Sequence, residues 1–423
     1  MAWTTKQVLD NKKSYKVYEQ LLFKRRYLKN TTTNYYSPSY WDVTYYLLES
    51  SAGKVSKKLD VENFAYGQVQ TDSMSFELSN IDGTFNPEND LYSFFNGTMS
   101  RHYTKVQYKA GYRDPDNNYA IQEIIYNGLI NEKSTTVNFE AGTIKFTTLG
   151  LDTILNETVV PELYLKNYIP VPLIVLIDRI FKINTLKDWN FYNASKITFG
   201  GNYLLADTTK YENKKVSEII TDICKKSNSV WYIDDADQLV ITPRIATATP
   251  VVTYYGGADP QGTPVMVSLD ELNEGYGRLI NSVQWECGDN TYSEQLPPSN
   301  LMTFGTNSLD LSGEEVSDEN VIRSIIQIIL QEWGSPRRQI KMTIRLSPNV
   351  HKFFDRIKVK YTPRTIIPDK PLIWNDDTYW NDGYYYASLE NRMILDDGIV
   401  YIVVGWEHDY SNCTTQLYLL QSI

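Results

Sequence analysis

Apolar positions repeat with two different periods, and the period changes along the chain. From "YWDVTYYLLE" (40–49) to "FTTLGLDTIL" (146–155) apolar and polar residues alternate, the period of a half-buried strand. The pattern predicts strands at 74–78, 104–112, 121–132, 135–139 and 143–150, with "EAG" (140–142) as a hairpin turn. Alternation sustained over that many strands predicts a barrel or sandwich. The period then becomes helical. "PVPLIVLIDRIF" spaces Leu173, Leu176, Ile177, Ile180 and Phe181 on one stripe behind Pro172, and "KKVSEIITDICKKS" does the same with Val216, Ile219, Ile220, Ile223 and Cys224. Helices are expected over 172–183 and 214–227, and "VWYIDDADQLVITPR" reads as a hairpin over 230–242. The last third returns to strands: "RLINSVQWEC", "QIKMTIRL", "RIKVKY", "IVYIVVGW" and "TTQLYLL". A helix over 318–333 interrupts them, with Ser317 as N-cap, an Ile-rich stripe ending at Trp333, and Gly334 and Pro336 as the stop.

Two segments are less regular. Near the N-terminus, Val8, Leu9, Tyr18, Leu21, Leu22 and Leu28 predict a helix over 4–29 within an arm spanning 1–35. Its "KRR" side (24–26) reads either as a solvated face or as a seat for an acidic partner. The stretch "SFELSNIDGTFNPENDLYSFFNG" (75–97) follows a strand with a polar turn in which Asn80, Asp82, Gly83, Asn86, Pro87 and Asn89 crowd together. Asp82–Gly83 suits a tight turn with positive φ, Asn80 and Asn89 suit backbone groups left by the ended strand, and Pro87 stiffens the exit. Phe85 lies within this corner, and "LYSFF" after it reads either as packing on its own barrel or as surface for a neighbouring subunit.

Composition narrows the class. The chain has 423 residues, which suggests about two to four domains. It is 42% hydrophobic and 22% charged, so it has material for buried cores. Its 33 tyrosines fit pleated surfaces and interfaces, because each buries a ring and keeps a polar tip. A net charge of −10 argues against wrapping nucleic acid, though not against an acidic wall past which DNA slides. The three cysteines, Cys224, Cys287 and Cys413, have neither disulfide-framework nor zinc spacing, which points to synthesis in a reducing interior. The N-terminus lacks a signal-like apolar core, and the run "VPLIVLI" is too short to span a bilayer, so no membrane anchor is expected.

Chemistry is hard to find. The three histidines, His102, His351 and His408, are far apart, which disfavours a zinc hydrolase or a His-based triad. "GYGRLI" (275–280) has Ile280 where a dinucleotide loop needs its third glycine, and "AGKVS" (52–56) lacks the residues of a phosphate loop. "DDADQ" (234–238) fails the calcium-loop pattern and reads as a turn. The pairs Asp376–Asp377 and Asp396–Asp397 do not set two carboxylates across a sugar bond. No catalytic, cofactor or metal residues are assigned. The binding candidate is "WNDDTYWNDGYYY", within an aromatic arm at 372–392: Trp374, Trp380, Tyr384 and Tyr385 suit either a subunit interface or sugar stacking.

Three segments, in fixed order, resemble the central hub proteins of phage baseplates and tail tips, a family that includes gene-transfer particles and tail-like machines. The first is Leu78, Asn80, Asp82, Gly83, Phe85 and Pro87, similar to that family's strand-ending "L-x-N-x-D-G-x-F-x-P" and preceded by its "DVT" strand. The second is "KVSEIITDICKKSNSVWYIDDADQLVITPR", where Gln238 replaces the usual small turn residue. The third runs from "RLINSVQWEC" through Asn300, Leu301 and Phe304–Gly305, a looser match, into the capped helix and "SPRRQIKMTI". Together they cover about residues 40–423.

The resemblance implies a mainly β chain with an α+β insertion: two tail-tube-like β-barrels, at 36–160 and 275–423, flanking a small α+β domain at 161–274. It implies no enzyme activity and no cofactor. It also implies a homotrimer whose six barrels meet a hexameric tail tube or distal tail protein above, with a spike or tip protein below. Contact with a tape-measure protein is compatible with that position. DNA would pass through a neutral to acidic channel without specific binding. The product would be a virion tail component made in the host cytoplasm. The alternative is a tail-associated receptor- or carbohydrate-binding protein using Trp374 and Trp380.

Overall fold

The structure, a computed structural model, describes residues 16–27, 35–37, 39–50, 54–59, 69–71, 73–86, 94–95, 99–113, 120–162, 164–165, 171–183, 186, 189–199, 204–205, 209–227, 229–234, 236–243, 249–257, 262, 264–276, 279–312, 318–345, 351–362, 399–409 and 414–422. Pro87, Asn89, Cys413, Ser317 and the whole aromatic arm, with Trp374, Trp380, Tyr384 and Tyr385, lie outside the described residues.

The first part of the chain contributes β1 (Lys16–Tyr27), β2 (Tyr35–Tyr36), β3 (Trp41–Asp42), β4 (Leu47–Ser50), β5 (Lys54–Leu59), β6 (Val69–Thr71), β7 (Ser75–Ser79), β8 (Met99–Arg113), β9 (Ala120–Asn138) and β10 (Thr143–Gly150). All but β5 and β6, which pair with each other, form one curled sheet ordered β2-β1-β8-β9-β10-β7-β4, with β3 also on β1. Register places apolar residues opposite one another on one face: Leu21 faces Tyr108, which faces Tyr126, and Phe76 faces Phe146. All five side chains are buried. The alternation read from the sequence is therefore the inside–outside alternation of this sheet.

Three local expectations are corrected. Residues 16–27 of the expected N-terminal helix form β1, paired with β8 from Lys16–Arg113 to Tyr27–Met99. An irregular apolar face at 18, 21 and 22 does not separate helix from strand, and a ladder of that length outweighs local propensity. The expected strand over "YWDVTYYLLE" is broken by a 3₁₀ turn at Thr44–Tyr46. Asp42 starts the turn by accepting the Thr44 N–H at 2.9 Å, and the Thr44 hydroxyl oxygen accepts the Leu21 N–H at 2.8 Å. The break expected near residue 133 is instead a bulge inside β9, where pairing slips between Asn131–Thr147 and Thr136–Lys145. The Ser134 and Thr135 hydroxyls donate to the Asn131 carbonyl there.

An α+β segment follows: α1 (Asp152–Glu157), β11 (Val171–Pro172), α2 (Leu173–Ile180), β12 (Leu204–Leu205), α3 (Val216–Lys226), β13 (Ser229–Ile233) and β14 (Leu239–Pro243). The predicted stripes of α2 and α3 are buried in one core with Trp189, Trp231 and Ile241. That core explains why these short helices hold: their stability comes from one packed face.

The remaining elements are β15 (Val252–Gly257), β16 (Ser268–Tyr276), β17 (Ser282–Cys287), β18 (Asn290–Gln295), α4 (Pro298–Phe304), β19 (Ser308–Ser312), α5 (Glu319–Trp333), β20 (Arg337–Ile344), β21 (Arg356–Thr362), β22 (Val400–Asp409) and β23 (Thr414–Gln421). A second large sheet is ordered β15-β21-β22-β23-β20-β16, with β15 parallel to β21. β16 pairs directly with β20, as in Leu272 with Ile340, so residues 277–336 are an excursion between two neighbouring strands. The excursion forms the sheet β18-β17-β19, with α5 against β17 and β18. Asp318, one residue beyond the expected cap, starts α5: its carboxylate accepts the N–H groups of Asn320 and Val321.

Contacts divide the chain into two compact units. One holds Met1–Arg244, Gly277–Pro336 and Glu407–Cys413; the other holds Ile245–Tyr276, Arg337–Trp406 and Thr414–Ile423.

Candidate functional site

The polar corner at the end of β7 is built on its own backbone. Asn80 is buried; its N–H donates to the Gly142 carbonyl at 2.7 Å, and its side-chain oxygen accepts the Phe85 N–H at 2.8 Å. Its carbonyl accepts from Gly83, whose φ is 69°. Asp82 accepts the Thr84 N–H at 3.0 Å. These bonds turn Phe85 inward, fully buried, edge-on to Tyr46 at 5.1 Å and near Phe23 and Phe146. Phe94 and Phe95 are buried in the same cluster, so these two rings of "LYSFF" serve the domain's own core. The Arg25 guanidinium lies 3.7 Å from the Trp41 ring centre and 4.1 Å from that of Phe94, which closes the cluster. Exposed at this end are Ile81 and, in the β9–β10 turn, Phe139, at 83% and 82%.

A second cluster joins the first sheet to the α+β segment. Lys105 on β8 meets Asp237 in the β13–β14 turn at 2.7 Å. The ammonium also lies 5.2 Å from the Tyr36 ring centre and 5.3 Å from that of Trp189. Tyr36 donates to the Tyr103 carbonyl at 2.8 Å and packs edge-on to Trp189, which stacks on Phe191. Lys24 stands directly across the ladder from Lys105. Burial, and then the Lys105 charge, hold its ammonium below the usual range, with Asp237 opposing. Burial raises both the Tyr36 and the Tyr40 phenols. Asp237 has a φ of 61°, and the turn carrying it is shaped by Asp234, which accepts the N–H groups of Ala236 and Gln238. Sequence reading took "DDADQ" as a turn and missed this ion pair; the partners are 132 residues apart, with no local signal linking them.

His351 and His408 are each buried. His351 Nε2 is 2.7 Å from the Tyr254 hydroxyl, and burial lowers its basicity. His408 is fully buried, and burial lowers its pKa to about 4. Cys224 is buried with its thiol pushed up, and Cys287 is half-buried. Among the described residues no three His, Cys, Asp or Glu side chains are grouped to hold a metal ion, and no helix is long and apolar enough to cross a membrane. Near the C-terminal end of α3, Lys210 is brought to a pKa of about 7, first by burial and then by Lys226, against the pull of Asp222.

The described geometry is thus that of packed corners and junctions. No known family profile matches the sequence, and no curated relative matches it. Solved structures do. The tail protein from Neisseria meningitidis MC58 superposes with a TM-score of 0.52 at 10% identity, covering 95% of this chain and 96% of that one. The prophage tail protein gp18 from Listeria monocytogenes EGD-e gives 0.48 at 10% identity, with 95% and 94% covered. The 43 kDa tail protein of prophage MuSo2 from Shewanella oneidensis gives 0.46 at 9%, with 95% and 97% covered. Mainly β with an α+β insertion, this chain has, over 95% of its length, the fold of the Neisseria tail protein.

Proposed function

We propose that this chain is a structural hub of a phage or phage-like tail tip. Three copies would present their two large sheets to a six-fold tube or distal tail protein above and hold a spike or tip protein below. DNA would pass through the shared channel unbound, past a wall that is neutral to acidic. The observation that carries the reading is the fold shared with a tail protein over 95% of this chain and 96% of that one. A match of that extent leaves little of either chain for a separate module. The rows facing away from the second core support a water-facing wall: Lys341 pairs with Glu271, while Thr343 and Gln416 donate to Asp270. Such a balanced face offers DNA no net positive grip. In this role the chain makes and breaks no bonds, and its place is the virion tail after synthesis in the host cytoplasm.

Light scattering on the purified chain tests the proposal, alone and with its tube and spike neighbours. A trimer, or a monomer that becomes trimeric with the spike, is expected. A chain that stays monomeric with both, or that imaging of the particle places away from the tail axis, overturns it. Glycan binding lost on Trp374→Ala and Trp380→Ala would instead support a receptor-binding protein.

A further inference from the structure

Helix α4 buries none of its side chains in the chain's own core. Met302 is 87% exposed and Phe304 41%. The helix is held by amides. Asn281, itself fully buried, donates to the Asn300 side-chain oxygen at 3.1 Å and to the Gly305 carbonyl at 2.7 Å, and accepts the Asn307 N–H at 2.7 Å. Asn300 donates in turn to the Gly334 carbonyl at 2.8 Å. A satisfied buried network of this kind fixes one geometry. Here it fixes a helix that leaves Met302 and Phe304 exposed among the described residues.

Charge indicates what covers them. Residues 279–323, which form β17–β19 and α4 and enter α5, include eight Asp or Glu against Arg323 alone, which pairs with Glu294 and Glu319. Glu286, Asp289 and Asp310 are exposed on that sheet. Residues 337–362, which span β20 and β21, are the complement: they hold eight Lys or Arg against Asp355 alone, with Lys341 paired to Glu271 on β16. Arg345 and Lys352 are exposed there, and Arg338, Lys358 and Lys360 are half-buried.

We propose that the acidic face bearing α4 docks onto the Arg/Lys-bearing β20–β21 region of a second copy of this chain, with Met302 and Phe304 as the apolar anchors. The contact is head-to-tail, so each copy uses both faces, as a closed trimeric ring requires. Opposite charge steers the encounter, and the two anchors set the lifetime. The inference rests on the trimeric reading above and assigns that trimer its contact.

The test is self-association of the full chain by sedimentation velocity over a range of concentration and salt, with circular dichroism confirming that each variant is folded. Met302→Ser with Phe304→Ser is expected to weaken association by about tenfold or more, the usual effect of removing central anchors. Asp289→Lys with Asp310→Lys, and separately Arg345→Glu with Lys352→Glu, are expected to weaken it, and combining all four reversals to restore it. Folded variants that trimerise like wild type overturn the docking face and leave the trimer standing. A wild-type chain that is monomeric alone and with its spike overturns both. A chain that stays monomeric alone yet binds a purified basic tail protein through Met302 and Phe304 overturns the choice of a second copy.

Discussion

Lys105 and Asp237, 132 residues apart, meet at 2.7 Å and tie the first sheet to the α+β segment. The pair is mostly buried and ringed by Tyr36 and Trp189. Removing one partner leaves the other charge without compensation. Asp237→Leu is expected to destabilise the chain by about 3 kcal/mol, the low end for a broken buried pair, because a lone charge in a largely dry site is costly. The double variant Lys105→Met/Asp237→Leu should recover most of the loss. Urea denaturation of the two single variants and the double measures this coupling directly.

The corner makes a backbone prediction. Asn80→Ala leaves the buried Phe85 N–H without its acceptor, which costs about 1–3 kcal/mol. Gly83→Ala forces a side chain into a positive-φ position, at a cost of about 1 kcal/mol. Asp82→Ala, on the exposed side of the turn, should cost less than either. Thermal unfolding ranks the three, and a reversed order would show that the corner is not held from Asn80.

Acid sensitivity follows from His408. Its pKa falls from 6.5 to about 4 in the folded chain, so between those values the unfolded chain binds the proton and the folded one does not. Stability should therefore fall as pH drops from about 6.5 to about 4, by up to about 3 kcal/mol for this residue, and level off below. His351, also lowered by burial, adds in the same direction. A pH series of melting temperatures should be flatter over that window in His408→Gln than in wild type.

Lys210 gives a prediction of opposite use. Burial and Lys226 bring its pKa to about 7, so its charge is a burden to the folded chain. Lys210→Met should raise the melting temperature most at pH 7 and below. The gain should fade as pH rises toward 10.5, where the unfolded chain also loses the proton. A gain independent of pH would assign the effect to packing alone.

Local pattern was a good guide wherever local packing decides the element. The stripes of α2, α3 and α5 were legible because one face of each is buried, and burial on a helix repeats every three to four residues. Strands β7, β10, β20 and β23 were legible by the same logic at period two. The segment 16–27 was misread because Leu21, Leu22 and Tyr18 satisfy both periods; its partner, β8, is about eighty residues on and decides the matter. The bulge in β9 looked like a break because the sequence shows the polar run but not the neighbour that absorbs it.

By itself, then, the sequence determined the helices α2, α3 and α5, the mainly β character, and the polar corner at 80–85, since these depend on side-chain period and on turn chemistry within a few residues. Tertiary structure alone decided that Asp237 meets Lys105, that 277–336 leaves and re-enters the second sheet, and that Met302 and Phe304 are left exposed. Those facts are contacts between residues far apart in the chain, and no pattern along one segment encodes which distant surface it will meet.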